Sequence, residues 1–491
     1  YNTKGEVSEI GYDSGTIEYE YDAMGRLSKR SIPISYYNTN PINENYTYKT
    51  YGGYTTNLLT CIDDQTDENN DRTATYDENG YVTSVSYNGK TYTYTYDRVG
   101  RLSSETVNGT TKEYSYDANN VQKTGLTYTN GQLTAVNGEQ IVYDAMGNPT
   151  TYKGNMLNWE QGRKLVSGSI NGKGFTYNYD GNGMRYEKVV NGTKTNYYYN
   201  GTQLLMESKN GWRTWYIYGV TGIEGMIVES GWQDSIYYFD KNTLGDIVAI
   251  RDESGNIVAR YEYDAWGNCT VMNAYGTVNT SASFIGNSNP FRYRGYYYDT
   301  ETGFYYLQTR YYDPTICRFI NADNYELVAE LSYVPGELNM YAYCGNNPIM
   351  YTDETGELAI SAGLYFGGMA LFFLLELLYI ETTTHAISNS IVYITQQVYD
   401  AVSSLGSNIY EKKKSKKGKN RIADPHARPN QHGQGKELKS GARKRDDFQQ
   451  RNGKRRGPQP LKKHTPGRGH RKQFLVLLFG SELILDDWGL D

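Results

Sequence analysis

Histidine, cysteine and proline are all scarce in this chain of 491 residues, with 5, 4 and 12 copies. The scarcity of proline argues against a proline-rich disordered chain. The cysteines include no closely spaced pair, which excludes a zinc ribbon and a dense disulfide scaffold; they are Cys61, Cys269, Cys317 and Cys344. The spacing leaves open whether these thiols are free or form one or two disulfides. A signal peptide is also missing, but the chain begins inside a repeat, so we expect a fragment and infer nothing about export.

Tyrosine and glycine are the abundant residues, with 52 copies each. Hydrophobic residues make up 38% of the chain. Without tyrosine that share falls to about a quarter, which is low for a leucine-rich α/β enzyme. Tyrosine favours strands, and glycine permits turns with positive φ. The composition therefore predicts a large, turn-rich β structure.

Charge is distributed very unevenly along the chain. Residues 1–410 carry 27 Lys and Arg against 46 Asp and Glu, a net charge of −19. Residues 411–472 carry 22 against 5, a net charge of +17. The overall value of −6 thus conceals an acidic body and a strongly basic tail.

A repeat built around a Tyr-Asp pair runs through the first 289 residues. Copies include YEYDAMGRL at 19–27, TYDENGYVTSV at 75–85, YTYTYDRVGRLSSE at 92–105, VYDAMGNPT at 142–150, YNYDGNGMRYEK at 177–188 and YEYDAWGN at 261–268. Aromatic and polar residues alternate before the Asp, which is typical of a half-buried strand. The following Asp-x-x-Gly predicts a turn, because Asp bonds nearby backbone N–H groups and Gly supplies positive φ. The sequence therefore predicts stacked β-hairpins that form a continuous sheet.

Two features of the repeats invite a different interpretation. Segment DGNG at 180–183 could suggest a phosphate loop, but no helical pattern follows it, so we predict a hairpin turn. The Asp of each repeat, such as Asp22, could suggest calcium binding. Calcium loops need several oxygen ligands within a dozen residues, and each repeat offers one, so a turn-stabilising role is favoured. Further hairpin turns are expected at Asn108-Gly109 and Asn171-Gly172.

The repeat resembles the RHS, or Tyr-Asp (YD), repeat family. The resemblance is sharpest at 290–357, where PFRYRGYYYDTETGFYYLQTRYYDPTICRFINAD leads into NMYAYCGNNPIMYTDETGE. This segment is similar to the RHS repeat-associated core of bacterial toxins. The resemblance implies a β-sheet strip that spirals into a hollow shell, as in the YD shell of teneurins, and that encloses a variable C-terminal toxin. With about 290 residues of repeats, we expect only part of a shell.

Four segments follow from these patterns: repeats at 1–289, the core at 290–357, a connector at 358–410 and a basic, toxin-like tail at 411–491. The connector begins with the apolar run LAISAGLYFGGMALFFLLELLYI at 358–380, which is long enough to span a bilayer as a helix. The alternative is a hydrophobic helix packed inside the shell or against a partner. Residues 386–405 continue with an amphipathic helical pattern, and the tail is too polar to hold much of a core.

The resemblance implies self-cleavage at the end of the core. In the RHS family the core acts like an aspartic protease, in which two carboxyls share one proton. Carried over by motif, these are Asp323 in RFINAD and Asp353 in YTDETGE, with the cut shortly after Gly356. Glu354 replaces the usual proline, and Glu357 stands where leucine is common. The alternative is that both Asp residues only cap turns.

A nuclease in the tail is a second hypothesis. His464 and His470 would supply acid–base groups, and Lys462, Lys463, Arg468 and Arg471 would bind phosphate. A divalent metal could assist, but no motif supports one, so no cofactor is predicted. The alternatives are nucleic-acid binding without catalysis and an inert basic tail.

Together these patterns predict an RHS-family polymorphic toxin fragment, secreted or at the bacterial cell surface, which serves contact-dependent competition. The shell would carry the effector, and an immunity protein is the expected partner. The competing hypothesis is a carbohydrate-binding, adhesive repeat protein with a degenerate tail, since aromatic strands suit sugar stacking. An adhesin has no need of a net charge of +17 directly after a core segment that ends in a cleavage motif, so the basic tail distinguishes the two hypotheses.

Overall fold

The computed structural model describes residues 1–12, 15–32, 41–117, 120–129, 132–229, 231, 234–323, 339–357 and 360–361. These residues belong to one compact unit that spans residues 1–373. The predicted connector, apart from residues 360–361, and the predicted basic tail lie outside the described residues. Within the described part of the chain, no helix is long and apolar enough to cross a membrane.

The first sheet has ten antiparallel strands that follow one another in chain order. They are β1 (Glu9–Tyr12), β2 (Gly15–Tyr21), β3 (Leu27–Ile32), β4 (Ile42–Tyr51), β5 (Tyr54–Asp64), β6 (Arg72–Tyr76), β7 (Val82–Tyr87), β8 (Lys90–Tyr96), β9 (Leu102–Val107) and β10 (Thr110–Glu113). This simple order is the hairpin succession that the repeats predict.

Two small sheets follow, a hairpin of two strands and a sheet of three. Their strands are β11 (Ser115–Asp117), β12 (Asn120–Gln122), β13 (Leu126–Thr129), β14 (Gln132–Val136) and β15 (Glu139–Gln140). They connect the first sheet to a second large one.

The second large sheet has fourteen strands, again in chain order. They are β16 (Val142–Tyr143), β17 (Pro149–Tyr152), β18 (Asn155–Glu160), β19 (Lys164–Ile170), β20 (Lys173–Tyr179), β21 (Arg185–Val190), β22 (Thr193–Asn200), β23 (Gln203–Lys209), β24 (Trp212–Gly219), β25 (Gly222–Glu229), β26 (Ser235–Lys241), β27 (Ile247–Asp252), β28 (Ile257–Tyr263) and β29 (Cys269–Asn273).

The predicted core segment folds into short elements. Its strands are β30 (Tyr297–Asp299), β31 (Phe304–Tyr306), β32 (Tyr311–Asp313), β33 (Arg318–Phe319) and β34 (Tyr351–Thr352), the last of which pairs with β35 (Ile360–Ser361). The described helical pieces are short: α1 (Ile285–Ser288) and the 3₁₀ turns Glu68–Asn70, Tyr293–Gly295 and Cys344–Asn346. The described chain is therefore mainly β, which confirms that part of the prediction.

Each Asp-x-x-Gly segment forms the predicted turn. In the copy at 97–100, Asp97 Oδ1 accepts the backbone N–H groups of Val99 at 3.0 Å and Arg101 at 2.9 Å. Gly100 closes the turn with φ +84°, a conformation that disfavours L-residues with a side chain. The same pattern recurs at 22–25, 77–80, 144–147 and 180–183. Segment 180–183 is thus a hairpin turn, as predicted, and the Asp oxygens bind backbone.

A hydrogen bond joins each of seven aromatic side chains to an earlier repeat. Each donates to the backbone carbonyl of the second residue after a turn glycine; the donor–acceptor pairs are Tyr21–Val7, Tyr48–Leu27, Tyr96–Val82, Tyr116–Leu102, Trp159–Pro149, Tyr199–Arg185 and Tyr263–Ile247. The ladder also shifts register just before several of these tyrosines, for example between Thr95 and Tyr96. Such a bulge re-aims the side chain, so the ring packs while its hydroxyl satisfies a backbone acceptor.

Tight Asn-Gly turns join the other ends of the hairpins. Asn108 and Gly109 have φ values of +51° and +77°, and Asn171 and Gly172 have +52° and +74°. Positive φ at both central residues is the geometry that suits the twist of a two-residue hairpin. Both predicted turns are confirmed.

One hydrophobic core joins both large sheets to the predicted core segment. Trp266, from the β28–β29 turn, is fully buried there, and Tyr114 meets its ring edge-on. Tyr305 and Tyr343 of the core segment are also fully buried. The repeats and the core segment therefore fold together within the described residues.

Buried ion pairs also tie the repeats to the core segment. Arg185 on β21 binds Asp299 on β30 through two bonds of 2.7 and 2.9 Å, and Lys188 binds Asp299 at 2.9 Å. Burial acts to raise the pKa of Asp299, but the two cations outweigh it and hold the pKa below its usual value. A buried carboxylate is tolerated when it is paired in this way.

The four cysteines all lie within the described residues, and none forms a disulfide. Burial raises the pKa of the Cys317 and Cys344 thiols. Of the two possibilities left open by the sequence, the structure shows free thiols.

Candidate functional site

The backbone after β34 turns tightly around the buried carboxylate of Asp353. Asp353 Oδ1 accepts the N–H groups of Gly356 at 2.8 Å and Glu357 at 3.0 Å. The Asp353 N–H donates to the Tyr296 hydroxyl at 2.9 Å. Asp353 is 1% exposed, so these bonds replace the water that it loses on burial.

Arg310, between β31 and β32, connects the two acids named in the sequence analysis. Its Nη2 lies 3.1 Å from Asp353 Oδ2, and its Nη1 lies 2.9 Å from Asp323 Oδ2. Its Nε donates to the carbonyl oxygen of Gly356. The structure therefore brings Asp323, Asp353 and the backbone of Gly356 to one guanidinium.

The electrostatics of this cluster differ from those of two bare carboxyls that share a proton. Arg310 lies between Asp323 and Asp353 and pairs with both carboxylates. Burial lowers the pKa of Arg310, while the two carboxylates counteract that effect; a guanidinium remains charged nonetheless. Its Cζ lies 3.6 Å from the centre of the Phe319 ring, a cation–π contact that helps to orient the guanidinium.

The backbone at Gly356 is packed tightly against the connection between β31 and β32. A Cβ atom added to Gly356 would lie 2.8 Å from Thr309 Oγ1 and 3.0 Å from the Leu307 carbonyl oxygen. On the preceding residue, the Thr355 carbonyl accepts the Thr309 hydroxyl at 2.6 Å. Since φ of Gly356 is also positive, at +76°, a side chain fits here neither sterically nor conformationally.

Contacts from the repeats hold Asp323 in place together with contacts from the core segment. Its N–H donates to the Met340 carbonyl at 2.9 Å, and the N–H of Ala322 donates to the Gly147 carbonyl at 3.2 Å. Its Oδ1 faces Arg163 Nη1 at 3.8 Å. Gly147 and Arg163 belong to the β16–β17 and β18–β19 turns.

The two residues that depart from the RHS pattern do not break this arrangement. Glu354 and Glu357 are both exposed, and the Glu357 N–H is one of the two donors to Asp353. A cavity of about 440 Å³ borders Thr352, Glu354 and Thr355. Solvent can therefore reach residues beside Gly356.

Sequence reasoning missed Arg310, Tyr296, Arg163 and Gly147. Arg310 stands 43 residues before Asp353, within TRYYDP, where it carries no local signature of its role. A charged residue amid the tyrosines of the core was the one available signal. The other three become visible only through packing.

The residues of the hypothetical tail nuclease lie outside the described residues; they are Lys462, Lys463, His464, Arg468, His470 and Arg471. Among the described residues, no group of three or more His, Cys, Asp or Glu side chains could hold a metal ion.

Fold and site together define a Tyr-Asp repeat protein whose sheets pack around an RHS-type core segment. The family model of the teneurin YD-shell matches residues 75–349, which is more than half of the chain. The chain belongs to the teneurin YD-shell family, and the RHS resemblance is confirmed.

Curated relatives include bacterial toxins. The chain is 38% identical to the tRNA nuclease WapA of Bacillus subtilis over 248 residues, which is 47% of this chain and 10% of that protein. It is 31% identical to the double-stranded DNA deaminase toxin A of Burkholderia cenocepacia over 121 residues, or 25% and 8% of the two chains. The chain thus spans about a tenth of the length of these curated relatives.

Solved structures show the same fold. The crystal structure of TcdB2-TccC3 without its hypervariable C-terminal region matches with a TM-score of 0.52 and 20% identity, covering 70% of this chain and 20% of the other. TcdB2-TccC3-Cdc42 matches with a TM-score of 0.51 and 19% identity, with the same coverage.

Proposed function

We propose that this chain is the carrier part of a polymorphic toxin that serves competition between bacteria, and that it releases its C-terminal segment by cutting itself. The family assignment and the toxin relatives support the carrier role. The observation that supports the cut is the position of Arg310, which contacts Asp323, Asp353 and the Gly356 carbonyl together.

The proposed reaction is hydrolysis of the peptide bond between Gly356 and Glu357. A water oxygen adds to the Gly356 carbonyl carbon, and the Arg310 Nε–H stabilises the negative charge that develops on the carbonyl oxygen. Asp323 takes the proton of the water. The same proton reaches the Glu357 nitrogen through Asp353, whose Oδ1 lies 3.0 Å from that nitrogen, as the C–N bond breaks.

The experiment follows freshly made full-length chain on a denaturing gel and by mass spectrometry. We expect a C-terminal product of about 135 residues that begins with Glu357. Asp353→Asn abolishes the product, because an amide neither gives nor takes the required proton. Asp313→Asn is the matched control, since Asp313 is a buried aspartate of the same core that binds Lys153 and not Arg310. A chain that stays intact without any substitution would refute self-cleavage.

The released segment is proposed to act on nucleic acid or at least to hold it. The net charge of +17 over residues 411–472 favours phosphate binding, and the WapA relative is named a tRNA nuclease. Binding of the full chain to DNA or RNA should weaken steeply with salt, with a log–log slope of about −0.9 per neutralised phosphate on duplex DNA. If the tail is a nuclease, changing His464 and His470 to alanine should abolish its cleavage of nucleic acid and leave its binding to nucleic acid mostly intact. Absence of binding at low ionic strength would discard both roles.

Export and protection complete the proposal. The protein acts outside the cell or at the bacterial envelope, with repeats at 1–289, core at 290–357 and connector at 358–410, and its sheets form part of a spiral shell. A cognate immunity protein neutralises the tail. Expression of residues 411–491 should arrest growth, and co-expression of the adjacent downstream gene should restore it. An inert tail would count against the effector role.

A further inference from the structure

The β16–β17 turn of the repeats touches the segment that carries Asp323. The Gly147 carbonyl accepts two hydrogen bonds from the core segment, one from the Ala322 N–H at 3.2 Å and one from the Tyr341 hydroxyl at 3.0 Å. Tyr143, on β16, packs edge-on against the Tyr341 ring. One repeat turn therefore contacts Ala322, which precedes Asp323, and Tyr341, which follows the residue whose carbonyl accepts the Asp323 N–H.

The next turn of the same sheet adds a charge. Arg163 Nη1 lies 3.8 Å from Asp323 Oδ1, on the side of the carboxylate opposite to the oxygen that faces Arg310. Asn148 joins the two turns, because its Nδ2 donates to the Gly162 carbonyl at 2.6 Å. The two turns thus form one support for Asp323.

The fit at Gly147 is tight. A Cβ atom added there would lie 2.6 Å from the Tyr341 hydroxyl oxygen and 2.7 Å from the Ala322 Cβ. The Ala322 Cβ is attached directly to the backbone beside Asp323, so a methyl group at residue 147 pushes against that backbone. The displacement would act on Asp323 and leave the Asp353 half of the site in place.

The hydrogen bonds that hold the Asp353 half come from the core segment. Tyr296, Arg310 and Thr309 hold Asp353 and the backbone of Gly356, and all of them lie between residues 290 and 357. The bond to be cut and one acid therefore come from the core, whereas the repeats support the other acid.

We propose that Gly147 and Arg163 are positioning residues for Asp323, so that self-cleavage starts only when strands β16 to β19 have packed on the core. This inference rests on the proposed self-cleavage. It makes folding of the repeats a condition for release of the C-terminal segment. An incompletely folded carrier would retain its cargo covalently.

The first test compares two glycines in the same turn type. Gly147 and Gly276 each close a four-residue turn with φ values of +82° and +79°, but a Cβ at Gly276 would have no neighbour within 4 Å. Gly147→Ala and Gly276→Ala in the full chain thus carry similar backbone strain. A misplacement of about 1 Å at a catalytic group costs roughly 10²-fold in rate. We expect Gly147→Ala to slow formation of the 135-residue product by about tenfold or more, and Gly276→Ala to leave the rate unchanged.

The second test varies the charge at residue 163. Arg163→Gln should slow processing, and Arg163→Lys should restore most of the rate, because lysine keeps the cation that faces Asp323. Far-UV circular dichroism and Tm of each variant show whether the fold is retained. Rescue by lysine would not follow from a merely structural role of the guanidinium.

The outcomes separate the two proposals. No product from the unchanged chain contradicts self-cleavage itself. A product that forms equally fast in Gly147→Ala and Gly276→Ala, or in Arg163→Gln and the unchanged chain, refutes the positioning role and leaves self-cleavage standing. Loss of the product in Gly147→Ala and in Arg163→Gln, with native Tm, supports it.

Discussion

Glu105 on β9 should make the stability of the protein depend on pH. The residue is 3% exposed, and its carboxyl lies near the β28–β29 turn, with the Tyr114 hydroxyl donating to Oε2 at 3.2 Å. Burial raises its pKa to about 7, and the charge of Asp264 adds to the rise, whereas Lys112, the Tyr114 hydroxyl and the nearby backbone oppose it. The folded state therefore binds this proton more tightly than the unfolded state does.

The size of the effect follows from the shift. Between the usual value of 4.5 and about 7, each unit corresponds to about 1.4 kcal/mol, which gives about 3 kcal/mol in total. For a carboxyl with a raised pKa this stability is present below pH 4.5, declines as the pH rises to about 7, and is absent above it. Unfolding of about 360 residues carries an entropy of about 0.75 kcal/mol/K, so the loss corresponds to about 4 °C in Tm.

Glu105→Gln removes the titrating group and keeps an acceptor for Tyr114. At pH 8 we expect the variant to unfold up to about 4 °C above the unchanged protein, with the difference vanishing near pH 4.5. Thermal unfolding followed by circular dichroism at pH 5, 6, 7 and 8 measures this. Glu113→Gln, the same change at an exposed residue of the neighbouring strand, is the control. Equal pH profiles for Glu105→Gln and the unchanged protein would show that the buried carboxyl does not carry the effect.

Two further changes test the bonds that hold the repeats together. Tyr96→Phe removes a hydroxyl that donates to the preceding repeat and should lower the free energy of unfolding by about 1 kcal/mol, measured by denaturant titration, whereas Tyr186→Phe at an exposed ring should have no effect. Arg185→Met leaves Asp299 buried without its bidentate partner and should lower the free energy of unfolding by about 3–5 kcal/mol. Arg213→Met removes an exposed arginine from its ion pair and should lower it by less than about 1 kcal/mol. Equal losses at both arginines would contradict this reasoning.

Local features of the fold could be predicted from the sequence because their causes are local. Asp97 and Gly100 lie in one turn, and the Asp side chain and the Gly φ specify that turn without help from the rest of the chain. The same holds for Asn108-Gly109, whose positive φ values suit only a few residue types. Repetition of such units was enough to predict a chain of hairpins.

Long-range features could not be predicted in this way. The pairing of Arg185 with Asp299 spans 114 residues, and neither residue differs by sequence pattern from an exposed neighbour. A motif singled out Asp323 and Asp353 as candidates, but it did not single out the arginine between them, because the place of Arg310 depends on how β31 and β32 pack. Glu105 fits the alternation of polar and apolar residues along a strand. It is buried because the β28–β29 turn covers it, which the local sequence does not reveal.

The hydrogen bonds that aromatic side chains donate to earlier repeats have a consequence for how such a protein can change in length. In each of the seven cases the acceptor is the second residue after a turn glycine, so the copies that share this pattern offer equivalent carbonyls to the donors that follow them. Removal of one complete unit from a gene therefore joins two copies that still fit, and duplication does the same. Loss of a single residue would instead turn the strand over and move its tyrosines to the other face. Recombination in whole units is thus the step that this architecture tolerates, and the number of copies can drift while the bonding scheme stays the same.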